Sequence, residues 1–83
     1  MSMNADDLIA FLQTHYPDAF IQAANQGTKF DVRVVDESFA GKRSVQRQQA
    51  VYALVNYKIA SGYIHALNIQ ALTPSEWEIH QQS

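Results

Sequence analysis

The 83-residue sequence contains no cysteine, and this absence limits the chemistry that the chain can perform alone. Without a thiol the chain forms no disulfide and offers no sulfur ligand to a metal ion or an iron–sulfur cluster. Glycine and proline are scarce, with three and two residues, and no repeat, linker or low-complexity tract is present. No apolar run approaches the roughly 20 residues of a membrane-spanning helix, so we expect no membrane association.

Charged residues are also few, at 17% of the chain, and the formal net charge is −2. The protein therefore has no general attraction for nucleic acid, and any such binding would depend on a local basic patch. The first residues show no basic segment followed by an apolar block, so we expect no secretory signal. The hydrophobic content of 47% is typical of a globular domain. A single cytoplasmic domain spanning residues 1–83 is the simplest interpretation.

The first half of the sequence predicts a helix followed by a β-hairpin. Asn4 is placed to cap the helix, apolar residues recur in it at helical spacing, and Pro17 ends it. Residues 19–24 then predict a short strand, and residues 25–28 supply turn-forming side chains. Residues 29–36 alternate between apolar and polar side chains, which is typical of a second strand.

The second half predicts a helix, a strand and a short capped helix. Ser44 is the expected N-cap of a long helix that runs to about Lys58, and Ser61 and Gly62 supply the stop signal after it. Apolar residues alternate with amides over residues 67–71, the pattern of a strand with one buried face. Thr73 and Glu76 then have the spacing of a capping box, which begins the last helix.

The predicted order of elements is therefore α-β-β-α-β-α. A helix between the second and third strands implies a right-handed crossover and parallel pairing of those strands. We therefore expect an α+β fold, a two-layer domain in which a three-stranded mixed sheet carries its helices on one face.

His65 is the first candidate site residue, because it stands where the last strand meets solvent. The alternative is a structural histidine whose ring is hydrogen-bonded to a neighbouring carbonyl. The three histidines do not have the spacing of a self-contained zinc site. No nucleophile, phosphate-binding or dinucleotide-binding motif is present, so we expect a protein that is not an enzyme.

A basic segment forms the second candidate site. Gly41, Lys42, Arg43 and Arg47 surround the start of the long helix, where backbone N–H groups and the helix dipole favour an anion. Its ligand would be a phosphate or a carboxylate of a partner. The alternative is a solvated basic loop without a ligand.

Four stretches of the second half carry a more specific signal: Phe39-Ala40-Gly41, Arg47-Gln48-Gln49 with Val51-Tyr52, Ile64-His65-Ala66-Leu67, and Thr73-Pro74-Ser75-Glu76-Trp77. With these stretches the chain resembles the BolA family over roughly residues 34–78. The run from Gln48 to Tyr52 is similar to the IbaG/YrbA-like branch of that family.

The resemblance implies a fold like the class II KH domain and a non-enzymatic adaptor. Such proteins pair with a monothiol glutaredoxin and help to bind or transfer a [2Fe–2S] cluster in iron–sulfur trafficking or iron-linked regulation. The resemblance makes His65 the ligand from this chain, while the partner's cysteine and glutathione supply thiols. A second ligand often comes from a histidine or cysteine between the first two strands, but residues 25–29 contain neither.

The implied partner surface includes the last strand, residues 41–47 and Trp77. The protein without its partner is expected to be a monomer or a weak homodimer. The main alternative is a KH-like regulator that binds nucleic acid weakly through the basic segment at residues 41–47.

Overall fold

A computed structural model describes residues 3–82, in which three α-helices accompany a three-stranded sheet. In chain order the elements are α1 (Ala5–His15), β1 (Phe20–Gln26), β2 (Lys29–Val35), a 3-10 turn (Glu37–Phe39), α2 (Ser44–Ala60), β3 (Ala66–Leu72) and α3 (Pro74–Gln82). The α-β-β-α-β-α order predicted from the sequence is confirmed. None of the helices within residues 3–82 is long and apolar enough to cross a membrane.

The sheet has β2 at its centre, antiparallel to β1 and parallel to β3. A two-residue turn joins Gln26 to Lys29, and Gly27 holds a φ of 58° in it. Glycine adopts this left-handed conformation without a steric penalty, which suits the first position of a tight hairpin turn. The mixed three-stranded sheet is therefore as predicted.

The core lies between α1, α2 and one face of the sheet. Alternation along each strand sends every second side chain to this face, and both helices contribute an apolar stripe. The buried members of the core are Leu8, Leu12, Ile21, Phe30, Val32, Val34, Phe39, Val51, Val55, Ile64 and Leu67.

Helix α3 does not follow the prediction that all helices pack on one face of the sheet, because its Trp77 contacts the opposite face. Arg33 lies on the face opposite the core, where its guanidinium bonds to Gln22 and Gln70 on the neighbouring strands. The ring of Trp77 from α3 lies over this guanidinium, with its centroid 4.4 Å from Cζ. The tryptophan therefore covers one end of the opposite face, because the chain turns around the end of β3.

The starts of the helices follow the predicted caps, with one correction. The Asn4 cap of α1 and the Thr73–Glu76 capping box of α3 are both present. Helix α2 is the exception, because Ser44 is already helical and Arg43 is the N-cap. There the side chain of Gln46 accepts the Arg43 backbone N–H at 2.9 Å. The predicted cap was thus one residue late.

Candidate functional site

The chain approaches the candidate histidine through a tight turn after α2. Ser61 ends the helix, and Gly62 reverses the chain with a φ of 84°, a value that side-chain-bearing residues rarely adopt. The N–H of Tyr63 donates to the carbonyl of Lys58 at 3.0 Å, which closes the helix end. Ile64 then enters the core with no exposed surface. These contacts fix the backbone immediately before His65.

The backbone of His65 is held on its other side by the hairpin turn. Its N–H donates to the carbonyl of Thr28 at 2.8 Å, and β3 begins at the next residue. The side chain is exposed, and its imidazole makes no hydrogen bond or ion pair with any of residues 3–82. The alternative was a structural histidine whose ring bonds to a neighbouring carbonyl. The structure shows no such bond within those residues.

The ring of His65 lies beside Gly62. A β-carbon added at this glycine would come within 3.8 Å of Nε2. This is an ordinary van der Waals distance, so Nε2 lies close to the glycine without a steric conflict. Because His65 is exposed, its ring can meet a ligand that approaches from solvent.

A depression lies next to the histidine, between the start of α1, the hairpin turn and the end of α2. Its lining residues are Met3, Asn4, Asn25, Gly27, Thr28, Gly62 and Tyr63, and none of them carries a charge. The depression is partly fixed by the side chain of Asn25, whose Oδ1 accepts the backbone N–H of Ala5 at 3.0 Å. The surface around the imidazole is thus concave and uncharged on this side.

The chain offers a single imidazole at this place. Within residues 3–82, no group of three or more metal-ligating side chains is arranged to hold an ion. The ring of His80 stacks on Trp77, with the centroids 5.4 Å apart, beyond the other end of β3. Seven strand residues span about 20 Å, so His80 is too distant to bind a metal centre together with His65.

Arg47, which was predicted as part of the basic segment at residues 41–47, is buried and only 9% exposed. Its guanidinium donates to the carbonyls of Lys42 at 2.9 Å and Ala71 at 3.1 Å, and it pairs with Glu76 at 2.5 Å. These three contacts hold the guanidinium beneath α3 and separate it from the exposed side chains of Lys42 and Arg43. No local pattern marks this pair, since 29 positions separate its members.

The ion pair also determines the charge state of Glu76. The hydrogen bond from Arg47, followed by the one from the Thr73 backbone, lowers the pKa of this carboxyl from 4.5 to about 2. The carboxylate is therefore ionised throughout the ordinary pH range. It serves the helix cap and the buried guanidinium together.

The remaining predicted residues lie at the same end of the molecule as Arg47. Gly41, Lys42 and Arg43 are exposed, and Gly41 has a φ of 78°. Trp77 is half-buried against Arg33, with the ring of Phe20 at 5.9 Å. The structure therefore divides the predicted site residues into two groups, with His65 at one end of β3 and the others near its far end.

Sequence comparisons place this fold among known proteins. Residues 12–76 match the family model described as BolA-like protein. The chain is 51% identical over 75 residues to an uncharacterized protein from the rpoN-murA intergenic region of Acinetobacter guillouiae, covering 90% of each chain. It is 40% identical over 57 residues to the acid stress protein IbaG of Escherichia coli K12, covering 69% of this chain and 68% of that protein.

Solved structures show the same architecture. The BolA domain of SufE1 from Arabidopsis thaliana superposes with a TM-score of 0.76 at 27% identity, covering 87% of this chain and 93% of that one. Yeast Fra2 superposes with a TM-score of 0.75 at 27% identity, covering 93% of this chain and 86% of that one. These likenesses extend over nearly the whole α+β fold.

Proposed function

Because the chain belongs to the BolA family, we propose that it is a non-enzymatic adaptor that contributes His65 to a [2Fe–2S] cluster shared with a monothiol glutaredoxin. The observation that carries this proposal is the exposed imidazole, which no hydrogen bond from residues 3–82 occupies although its backbone is firmly held. The likeness to the BolA domain of SufE1 and to yeast Fra2 is consistent with a role in iron–sulfur metabolism.

The residues fit a shared site and not a self-contained one. A [2Fe–2S] cluster needs four protein or thiol ligands, and imidazole is the usual substitute for a thiolate. This chain has no cysteine, so it supplies a neutral ring nitrogen, while the partner's cysteine and glutathione supply the sulfur ligands. The cluster, when bound, would give the complex its visible absorption and its capacity to transfer iron and sulfide.

The surroundings of His65 favour approach of a partner at this end of the molecule. The side chain of His65 is exposed, and the residues that line the adjoining depression carry no charge that a partner would have to neutralise. Gly41, Lys42, Arg43 and Trp77 lie about 20 Å away along β3. In this proposal they form a second contact or an anion site, separate from the cluster.

The basic segment gives less support to nucleic-acid binding. The guanidinium of Arg47 is already bound to Glu76 and to two backbone carbonyls. Lys42 and Arg43 remain as its exposed cations. Two phosphate contacts give weak binding that falls further as salt is added.

The test is anaerobic reconstitution of a monothiol glutaredoxin, with glutathione, in the presence of wild-type protein, His65→Ala or His80→Ala. Visible absorption, circular dichroism and native mass spectrometry would follow the cluster and the complex together. We expect a heterocomplex with an altered cluster spectrum for the wild type and for His80→Ala, because His80 lies far from His65. We expect His65→Ala to lose the altered spectrum.

If His65→Ala gave the same complex and spectrum as wild type, the glutaredoxin would remain the partner. His65 would then not be a ligand of the cluster. Failure of the wild-type protein to form any complex with the glutaredoxin would overturn the adaptor proposal itself.

A further inference from the structure

Strand β3 lies at one edge of the sheet and pairs only with β2 within residues 3–82. The N–H of Ala66 and the carbonyl of Leu72 both bond toward the β2 side. Because successive residues of a strand direct their N–H and C=O groups to opposite sides, the intervening odd-numbered residues direct theirs to the open edge. These residues are Leu67, Ile69 and Ala71.

The sequence of β3 contains none of the usual protections of an edge strand. Its seven residues include no charge and no proline, and their register with β2 is continuous, without a bulge. Charged side chains, proline and bulges are the features that normally prevent an edge from pairing with another chain. An uncharged strand of this kind can meet a copy of itself without like-charge repulsion.

Helix α2 supplies the missing protection through two side chains. The hydroxyl of Tyr52 donates to the carbonyl of Leu67 at 2.8 Å, and Nη1 of Arg47 donates to the carbonyl of Ala71 at 3.1 Å. The two occupied acceptors lie four residues apart on the edge. Between them, the carbonyl of Ile69 accepts a hydrogen bond from no side chain within residues 3–82.

We propose that Tyr52 and Arg47 are edge-protecting residues that keep β3 from pairing with β3 of a second copy of this chain. Antiparallel pairing of two copies centred on Ile69 would satisfy two-fold symmetry and would require the carbonyls that these side chains now occupy. Arg47 also forms an ion pair with Glu76, so a substitution there would disturb more than the edge of the sheet. A substitution of Tyr52 removes one hydrogen bond to the edge and leaves that ion pair in place.

The test compares Tyr52→Phe and Tyr52→Ser with wild type and with Tyr57→Phe, by sedimentation equilibrium over a range of concentrations. Tyr57 lies on the same helix, is 55% exposed, and its hydroxyl bonds to none of residues 3–82. We expect the homodimer dissociation constant to fall about thirtyfold in Tyr52→Phe, the factor for two hydrogen bonds of ordinary strength. Tyr52→Ser, which also removes the ring, should associate at least as strongly, and Tyr57→Phe should match wild type.

Two further measurements identify the pairing surface. The Ile69 amide should become protected from hydrogen exchange in associated Tyr52→Phe but not in monomeric wild type. Adding Ala71→Pro, which removes an N–H on the open edge without removing a bond to β2, should restore the monomer. Unchanged association of both Tyr52 variants would overturn the proposal. So would association that leaves the Ile69 amide unprotected, or association that persists when Ala71→Pro is added.

Discussion

Arg47 of α2 and Glu76 of α3 meet across the end of β3, with Nη1 2.5 Å from Oε1. The same guanidinium also bonds to the carbonyls of Lys42 and Ala71, so one side chain joins the loop before α2, the last strand and the last helix. Glu76 in turn accepts the backbone N–H of Thr73 at 2.9 Å. This end of the domain therefore depends on a hydrogen-bond network centred on a buried cation.

We expect Arg47→Met to lower the free energy of unfolding by about 2 kcal/mol, because it leaves two backbone carbonyls and a carboxylate without their donor. Urea unfolding at low protein concentration, where edge pairing does not contribute, would measure the change. Arg43→Met is the matched control, since this arginine is exposed, and we expect it to change stability by less than about 0.5 kcal/mol. Equal effects of the two substitutions would show that the buried network is not stabilising.

The lowered pKa of Glu76 predicts a specific dependence of stability on pH. The pKa is about 2 in the folded protein against an ordinary value of 4.5, so folding favours the ionised carboxylate. This contribution is fully present above about pH 5 and is lost as the pH falls toward 2, because the proton then binds both states. Urea midpoints of wild type and Glu76→Gln should therefore differ most near neutral pH and converge at acid pH. A difference that stays constant across this range would contradict the assignment.

Local patterns in the sequence were sufficient to predict the order of elements and the mixed sheet. The Asn4 cap, the capping box at Thr73 and the alternation in β2 depend on neighbouring residues and on the period of each element. They therefore require no knowledge of the tertiary structure. The N-cap of α2 was misplaced by one residue because serine is a preferred N-cap side chain, whereas in the structure the Gln46 side chain accepts the backbone N–H of Arg43 at the start of the helix.

The sequence could not predict contacts between distant segments. Arg47 was grouped with Lys42 and Arg43 by proximity in the chain, but its position on the helix turns it toward Ala71 and Glu76. The position of His65 at the start of β3 was predicted. Its separation from Trp77 also follows from that prediction, because an extended strand between the two residues holds them apart.

Trp77 was predicted to contact the partner, and its position in the structure gives a direct test. Trp77→Ala removes its contacts with Arg33 and Phe20, and we expect a loss of about 1–2 kcal/mol in the free energy of unfolding. Ile79→Ala is the control, because this side chain on the same helix is 67% exposed. The spectrum of the glutaredoxin complex should be unchanged in folded Trp77→Ala, since the residue lies about 20 Å from His65. A lost complex would place the partner at this end instead.

The register between β2 and β3 indicates where a second ligand could be introduced. Lys29 pairs with Ala66, so continuing the register by one residue places Thr28 beside His65, in agreement with the 2.8 Å bond between their backbones. Neighbouring strands lie about 4.8 Å apart, and successive side chains alternate between the two faces. A histidine at position 28 is therefore expected on the same side as His65, and one at position 29 on the opposite side.

We expect Thr28→His to slow the loss of the cluster from the glutaredoxin complex to an iron chelator by about tenfold, within the range that supporting residues of metal sites contribute. Lys29→His is the matched control and should lose the cluster at the wild-type rate. Adding His65→Ala to Thr28→His should remove the gain, because one introduced imidazole would then only replace the other. If Lys29→His slows the loss of the cluster and Thr28→His does not, the imidazole at position 29 is the one that reaches the cluster. The alternation of side chains along β2 then does not extend to positions 28 and 29.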